Sequence, residues 1–360
     1  MSIDGLGPNG QMEEAATGIG VSHADLDAYL TSSITEFETL GAVTKFGTGQ
    51  SNPTYMLEAA SGIYVLRSKP PGKLLPSAHA VDREFRVMQA LANSEVPVPE
   101  VLHLASRDVS PSRRDFFVMR YLPGRIFWDP ALPESDIPDR TAIYDAMNAA
   151  LAALHDVDVA DVGLTDFGRP GNYFARQLDR WSQQYLSSVD TPSDAMVDIM
   201  AWLARQMPAD DGAVSLVHGD WRLDNMIFDS ETPQILGVLD WELSTLGHPM
   251  ADLAYQCMQW RLPNQGDMRG LAGVDRAALG LPSEAAYVAD YTRRRGLGEV
   301  ADWPFYLVFA FFRLAAILAG VAARATAGNA SNPKMAQKYG AAVPVLSAMA
   351  TIVMHEGPEA

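Results

Sequence analysis

One cysteine, Cys257, occurs in 360 residues, so no intrachain disulfide can form, and a reducing, cytoplasmic setting is expected. Basic residues are scarce as well: 27 Lys and Arg against 44 Asp and Glu give a formal net charge of −17. That field repels nucleic acid and anionic lipid over most of the surface, so neither a nucleic-acid partner nor a membrane is expected. Met1 to Gly20 has no basic start and no apolar core, and no secretion signal is read in it. A single apolar run approaches bilayer length, Phe305 to Ala323, and Arg313 stands at its middle. A central Arg costs about 2.5 to 3.5 kcal/mol on insertion, so the run is read as a helix buried in protein. There Arg313 needs a partner, an internal Asp or Glu or else an anionic substrate group. A Gly-x-Ser-x-Gly elbow and a His-Glu-x-x-His pattern are absent, which excludes the hydrolase chemistries built on them. Internal repeats and low-complexity blocks are absent too, and no pattern specifies an oligomeric state.

The length suits two lobes with a cleft between them, and the hydrophobic period changes accordingly. Residues 1–24 are expected to be a flexible N-terminal segment, 25–122 a small strand-rich lobe, and 123–360 a larger helical lobe. The class is therefore α+β. A helix is expected from about Asp25 to Leu40, then a Gly-rich turn within Phe46–Tyr55 that joins two strands. Two strands, Tyr55–Ala60 and Ile63–Ser68, flank a Ser61-Gly62 turn. Asp82 to Ala92 carries Phe85, Met88 and Leu91 at helical spacing, and a third strand runs from Asp115 to Tyr121. Leu122-Pro123-Gly124 reads as a hinge. Beyond it, Ile143, Met147, Leu151 and Leu154 form one helical stripe, and Phe174, Leu178, Trp181 and Tyr185 another. Short strands are expected at Ser215–Val217, Met226–Asp229 and Ile235–Asp240, with helices resuming at Met250.

The most informative letters are residues 218 to 225, His-Gly-Asp-Trp-Arg-Leu-Asp-Asn, followed fifteen residues later by Asp240, Trp241 and Glu242. Phosphoryl transfer from a nucleotide needs a carboxylate that orients the attacking hydroxyl and accepts its proton, and oxygen ligands that hold magnesium on the phosphates. Asp220, Asn225 and Asp240 supply that set. A polar turn before a buried strand is the competing reading of the same letters.

From about Leu40 to Tyr255 the arrangement resembles the aminoglycoside phosphotransferase and choline kinase branch of the protein-kinase-like fold. Within it, the stretch from Val65 to His79 followed by Arg83-Glu84 is most similar to the kinase-like domains linked to acyl-CoA dehydrogenases, which phosphorylate 4-hydroxyacyl-CoA. The resemblance implies a bilobal fold with a small, five-stranded antiparallel N-lobe sheet and a helical C-lobe. It also implies ATP with Mg2+, and transfer of the γ-phosphate to a small-molecule hydroxyl.

Carried over by position, Asp220 resembles the catalytic base, and Asn225 and Asp240 the magnesium ligands. Arg222 falls where related kinases place a cation that neutralises the migrating phosphate, with a surface salt bridge as its alternative. His218 is expected to brace the loop, and Asp252 to hydrogen-bond its backbone. Gly47, Gly49, Ser51 and Asn52 are expected to cover the phosphates. Arg67 replaces the family's Lys that grips the α and β phosphates, and Lys69 on the same strand face is an alternative for that task. Glu84 would pair with that cation. Arg120, Tyr121 and Leu122, after Met119, would present backbone groups to the adenine edge. Glu242 would contact a second magnesium or a substrate amine. A catalytically weak nucleotide-binding module is the rival function. For the acceptor, a hydroxyacyl-CoA-like and an aminoglycoside-like molecule both remain open.

Overall fold

Residues 54 to 68 form a hairpin whose Tyr55, Leu57, Tyr64 and Leu66 are buried, with Glu58 and Ile63 exposed near the turn and Val65 buried on the other face. The computed structural model describes residues 18–47, 52–71, 79–266, 268–326 and 333–356. The chain forms two compact units: residues up to Ile126 together with Asn225–Leu243, and Phe127–Asp224 together with Ser244 onward.

The first unit holds a five-stranded antiparallel sheet of β1 (Leu40–Lys45), β2 (Thr54–Ala59), β3 (Gly62–Ser68), β4 (Val101–Ala105) and β5 (Phe116–Arg120), in the order β1-β2-β3-β5-β4. Two of these strands, β1 and β4, were given no bounds from the sequence, although a strand before the Gly-rich turn and a five-stranded sheet were expected. β1 has no clean alternation and carries a register shift between Leu40 and Val43, and most of β4 is half-buried. Helix α1 (His23–Ser33), capped by the Ser22 hydroxyl, is shorter than the expected Asp25–Leu40, since Leu40 already opens β1. Its Leu26 and Leu30 share a core with Tyr55, Leu57, Tyr64, Leu66, Phe116 and Val118. Ile19 is fully buried in that core, so the last part of the segment expected to be flexible is anchored; residues 1–17 lie outside the described residues.

Helix α2 (Val81–Leu91) packs on the opposite sheet face, where the Phe85 and Phe117 ring centroids stand 6.2 Å apart. Fully burying one such side chain contributes about 1.5 to 3 kcal/mol. Several of them outweigh any single half-buried ion pair, so the apolar residues decide the faces. Arg67, level with Phe117, then points to the α2 side by alternation.

The hairpin of β7 (Met226–Phe228) and β8 (Ile235–Val238) belongs to this first unit, which corrects the division at residue 122 expected from the sequence. Three contacts fasten it there. The amide of Arg125 donates to the Phe228 carbonyl at 2.8 Å and that of Phe228 to the Arg125 carbonyl at 2.9 Å, while Val238 N–H donates to Pro97 at 2.8 Å. The hinge backbone comes so close that a Cβ on Gly124 would overlap the Phe228 carbonyl oxygen and lie 2.6 Å from Ile227.

The second unit contains α3 (Ile137–Asp156), α4 (Tyr173–Ser188), α5 (Asp194–Arg205), α6 (Met250–Cys257), α7 (Arg276–Leu279), α8 (Glu284–Arg294), α9 (Trp303–Thr326) and α10 (Pro333–Glu356). A two-stranded ribbon joins β6 (Ser215–Val217) to β9 (Thr245–Gly247). Asp136, Ser193 and Ser283 cap α3, α5 and α8 by accepting from backbone amides. The stripes read from the sequence are buried in α3 and α4. The long apolar run is α9, most of it buried among α4, α5, α6 and α10.

Substituting Gly124→Ala is expected to lower unfolding free energy by about 1 to 3 kcal/mol, the usual cost of overpacking. Chemical denaturation would read it; an unchanged midpoint would mean that the hinge and hairpin do not meet at this residue.

Candidate active site

In the first unit, β3 presents Arg67, α2 presents Glu84, and the hairpin presents Asn225 and Asp240. Arg67 Nε lies 2.9 Å from Glu84 Oε2, and its Nη2 lies 2.7 Å from Asp240 Oδ1. A planar fork can serve two carboxylates in different directions at once, which a single ammonium does less well. Glu84 is 1 % exposed and also accepts from Asn52 Nδ2 at 2.8 Å. Burial pushes its carboxyl above the usual range, Arg67 opposes this, and Asp240 adds to it. Burial works against the Arg67 cation, but Glu84, Asp240 and Glu242 more than compensate.

Asp240 follows β8 in the left-handed region, φ 65°, a conformation that Asp tolerates better than most residues. Leu239 N–H donates to the Asn225 carbonyl at 2.8 Å, so the backbone brings Asn225 and the Asp240 segment side by side. A 3-10 turn at Trp241–Leu243 follows, fixed by the buried Trp241 indole donating to Val238 O at 2.9 Å. One oxygen each of Glu84, Asp240 and Glu242 falls within 4.8 Å of the others. Carboxylate oxygens are the hard donors that Mg2+ takes, so Asp240 and Glu242 suit the ion by donor type, while Glu84 is committed to Arg67 and Asn52.

Other residues expected at the nucleotide are distributed differently. Asn52 is 1 % exposed, and its side chain serves Glu84 and His79 rather than a phosphate, because a buried amide must satisfy its own groups first. Gly47 is exposed; Gly49 and Ser51 lie outside the described residues. Lys69 pairs with Asp115 at 2.6 Å and Asp82 at 3.6 Å, so Arg67 is the cation joined to Glu84. Arg120 directs its side chain to Glu36 and Glu100. Its amide donates to Glu100 O and that of Tyr121 to Ile63 O, leaving Leu122 N–H as the hinge amide with no partner among the described residues.

In the second unit, the loop after β6 carries Asp220. Asp252, fully buried on α6, accepts from His218 N at 2.6 Å and Gly219 N at 2.8 Å. Gly219 adopts φ 84°, which favours glycine, and His218 Nδ1 accepts from Asp220 N at 3.1 Å. The Tyr255 hydroxyl donates to Asp220 Oδ1 at 2.5 Å. Arg222 is 46 % exposed and forks onto Asp224, the surface-type pair that was the alternative to a catalytic cation. Among the described residues Arg313 finds no carboxylate, contrary to the first expectation for it. Its Nη1 donates to Gly219 O at 2.7 Å, and its guanidinium faces the Trp181 and Tyr255 rings, each 5.7 Å away. Tyr255 gives no periodic signal of its role; its place three residues after Asp252 on one helix was the available clue.

Behind the loop, His155 Nε2 lies 3.3 Å from Asp252, and its Nδ1 lies 2.6 Å from the Tyr291 hydroxyl. Arg295 donates to that hydroxyl, so a neutral His155 protonated at Nε2 satisfies every partner. Burial lowers the His155 pKa, against the pull of Asp252. For Asp252 burial acts upward, but His155, His218 and the Gly219 amide outweigh it and hold the carboxyl below its usual range. Both shifts have one sign: the unfolded chain binds more protons, so their stabilisation is full above the ordinary His value of about 6.5 and is lost as pH falls. The unfolding free-energy difference between wild type and His155→Gln should therefore shrink from pH 7 to pH 5 in denaturant titrations. Parallel curves would show that His155 is not held neutral.

The profile described as the phosphotransferase enzyme family matches residues 42–297. Acyl-CoA dehydrogenase family member 10 of Mus musculus is 46 % identical over 289 residues, covering 80 % of this chain and 27 % of that protein. Acyl-CoA dehydrogenase family member 11 of Gallus gallus is 41 % identical over 313 residues, covering 85 % and 40 %. The chain thus spans well under half the length of these curated relatives. A crystal structure from Ralstonia eutropha, provisionally described as an aminoglycoside phosphotransferase, is 44 % identical with TM-score 0.81, covering 91 % of this chain and 96 % of that one. Aminoglycoside phosphotransferase APH(4)-Ia, solved with AMP-PNP and hygromycin B, shares the fold at TM-score 0.58 and 15 % identity, covering 90 % and 98 %. The α+β bilobal, kinase-like architecture is thus shared with these phosphotransferases, and the chain belongs to the phosphotransferase enzyme family, in its aminoglycoside phosphotransferase-like branch and close to the kinase-like part of the acyl-CoA dehydrogenase family members.

Proposed function

We propose that the chain is an ATP-dependent small-molecule kinase that moves the γ-phosphate to an acceptor hydroxyl with Mg2+. The observation that carries this reading is the Asp220 carboxylate, oriented by Tyr255 on a loop whose backbone is pinned by Asp252. In a loose phosphoryl-transfer transition state the hydroxyl proton leaves late, so a positioned carboxylate of ordinary basicity suffices. Asp220 aligns the hydroxyl and takes that proton. Arg67 binds the α and β phosphates, with Glu84 fixing its direction. Leu122 N–H reads the adenine edge. Mg2+, when bound, supplies charge neutralisation on the phosphates, and Asn225 and Asp240 are the residues that would hold it, with Glu242 beside them.

For the acceptor, the relatives' names favour a hydroxyacyl-CoA-like molecule, since the similar proteins are acyl-CoA dehydrogenase family members. An aminoglycoside-like acceptor draws on the description of the Ralstonia protein alone. A cytoplasmic location is part of the same proposal, consistent with one buried, unpaired cysteine.

Asp220→Asn should lower phosphate transfer to a 4-hydroxyacyl-CoA by about 10²- to 10⁴-fold while the thermal shift with Mg-ATP persists. Transfer at the wild-type rate would sink the assignment of the base. A thermal shift without turnover toward hydroxyacyl-CoA or aminoglycoside would instead identify a nucleotide-binding module.

A further inference from the structure

Asp220 is held by more than the loop it sits on. Asp252 and Tyr255 are three residues apart on α6, and so lie on one helical face. The first anchors the amides of His218 and Gly219, and the second reaches the Asp220 carboxylate itself. From α9, Arg313 donates to the Gly219 carbonyl, and its guanidinium stands 5.7 Å from the Tyr255 ring and 5.7 Å from that of Trp181 on α4. Arg313 is 5 % exposed, its Nε has no hydrogen-bond partner, and it makes no ion pair among the described residues. A buried cation without a counter-ion is costly, and a neutral donor or an apolar side chain would fill the same space at less cost. Its presence beside the tyrosine that donates to Asp220 therefore calls for an electrostatic explanation.

We propose that Tyr255 is a positioning residue for Asp220, and that Arg313 holds both the Tyr255 ring and the Gly219 carbonyl in the geometry this requires. The inference rests on the reading of Asp220 as the base. The hydroxyl hydrogen-bonds the charged carboxylate and fixes its rotamer through Oδ1, so the acceptor meets a base of set direction. The hydroxyl keeps its own proton, because burial and then Asp220 push the phenol well above its usual range, against Arg222 and Arg313. The charged and titratable groups around this pair are Asp252 on the same helix, His218, Arg222 and Asp224 on the loop, Arg313 on α9, and Tyr173 and Arg180 on α4. Apart from Asp220 itself, the acids among them are already engaged, Asp252 with amides and Asp224 with Arg222.

The test uses the full chain, with Mg-ATP and water as acceptor, and follows ADP release against pH. Tyr255→Phe should lower kcat about ten- to hundredfold, the range for losing a hydrogen bond to a charged group, with KM for ATP and the thermal midpoint unchanged. Its acidic limb should move to higher pH, because Asp220 loses a donor to its charged form. Arg313→Met should reduce kcat similarly, and the double variant should lose less than the product of the two factors. Arg313→Lys, which keeps the charge, should recover part of the loss. Wild-type kcat and an unmoved limb in Tyr255→Phe, with Asp220→Asn inactive, would overturn the inference and leave the base assignment standing. A loss of activity that only tracks a falling thermal midpoint, or a full product in the double variant, would also overturn it. Asp220→Asn as active as wild type, or no ADP release from wild type, would remove the base assignment and the inference with it.

Discussion

A carboxylate without access to water must find its hydrogen bonds inside the protein, and Asp252 finds them in the backbone of the loop that carries Asp220. Much of the second unit can be understood from that constraint. Its two oxygens fix two successive amides, which forces Gly219 into a conformation suited to glycine, and His218 then turns its ring back onto the next amide. The charge is supported from behind by His155, Tyr291 and Arg295 in a hydrogen-bonded series. Such a network is costly when partly satisfied and rigid when complete, which suits a loop that must present one carboxylate in one direction.

The first unit solves a comparable problem with the opposite sign. Arg67 is a half-buried cation, and three acids, Glu84, Asp240 and Glu242, surround it. Glu84 is held by Asn52 as well as by Arg67, so its direction does not depend on the cation alone. The guanidinium reaches Glu84 through Nε and Asp240 through Nη2, a division of labour that a single ammonium would serve less well. Lys69, two residues on, is drawn away by Asp115 and Asp82.

How much of this was legible in the sequence follows from how local each signal is. The β2–β3 hairpin and the stripes of α3 and α4 are period-two and helical patterns within a few residues, and the structure carries them nearly as written. The His-Gly-Asp motif and Asp252 were legible because the chemistry constrains residue type and order. The bounds of β1 were not, since its burial does not alternate. Neither was the allegiance of the β7–β8 hairpin, which is decided by Pro97, Gly124 and Arg125, about a hundred residues earlier in the chain. Arg313 announced itself as a charge in an apolar helix, but its partner is a backbone carbonyl and two ring faces, which no residue pattern marks.

The two groups of candidate residues therefore depend on separate supports, although Asp220 and Asn225 are five residues apart in the chain. Asn225 and Asp240 take their position from a hairpin fastened to the first unit through backbone bonds to Arg125 and Pro97. Asp220 takes its position from side chains of α6 and α9 in the second. Backbone pairing is indifferent to side-chain identity, whereas the supports of Asp220 are an acid, a phenol and a guanidinium that few other residues could replace. Substitutions around the base should thus be read through its chemistry, and those around the hairpin through its packing. The sequence between Asp224 and Asn225 is where one kind of constraint gives way to the other.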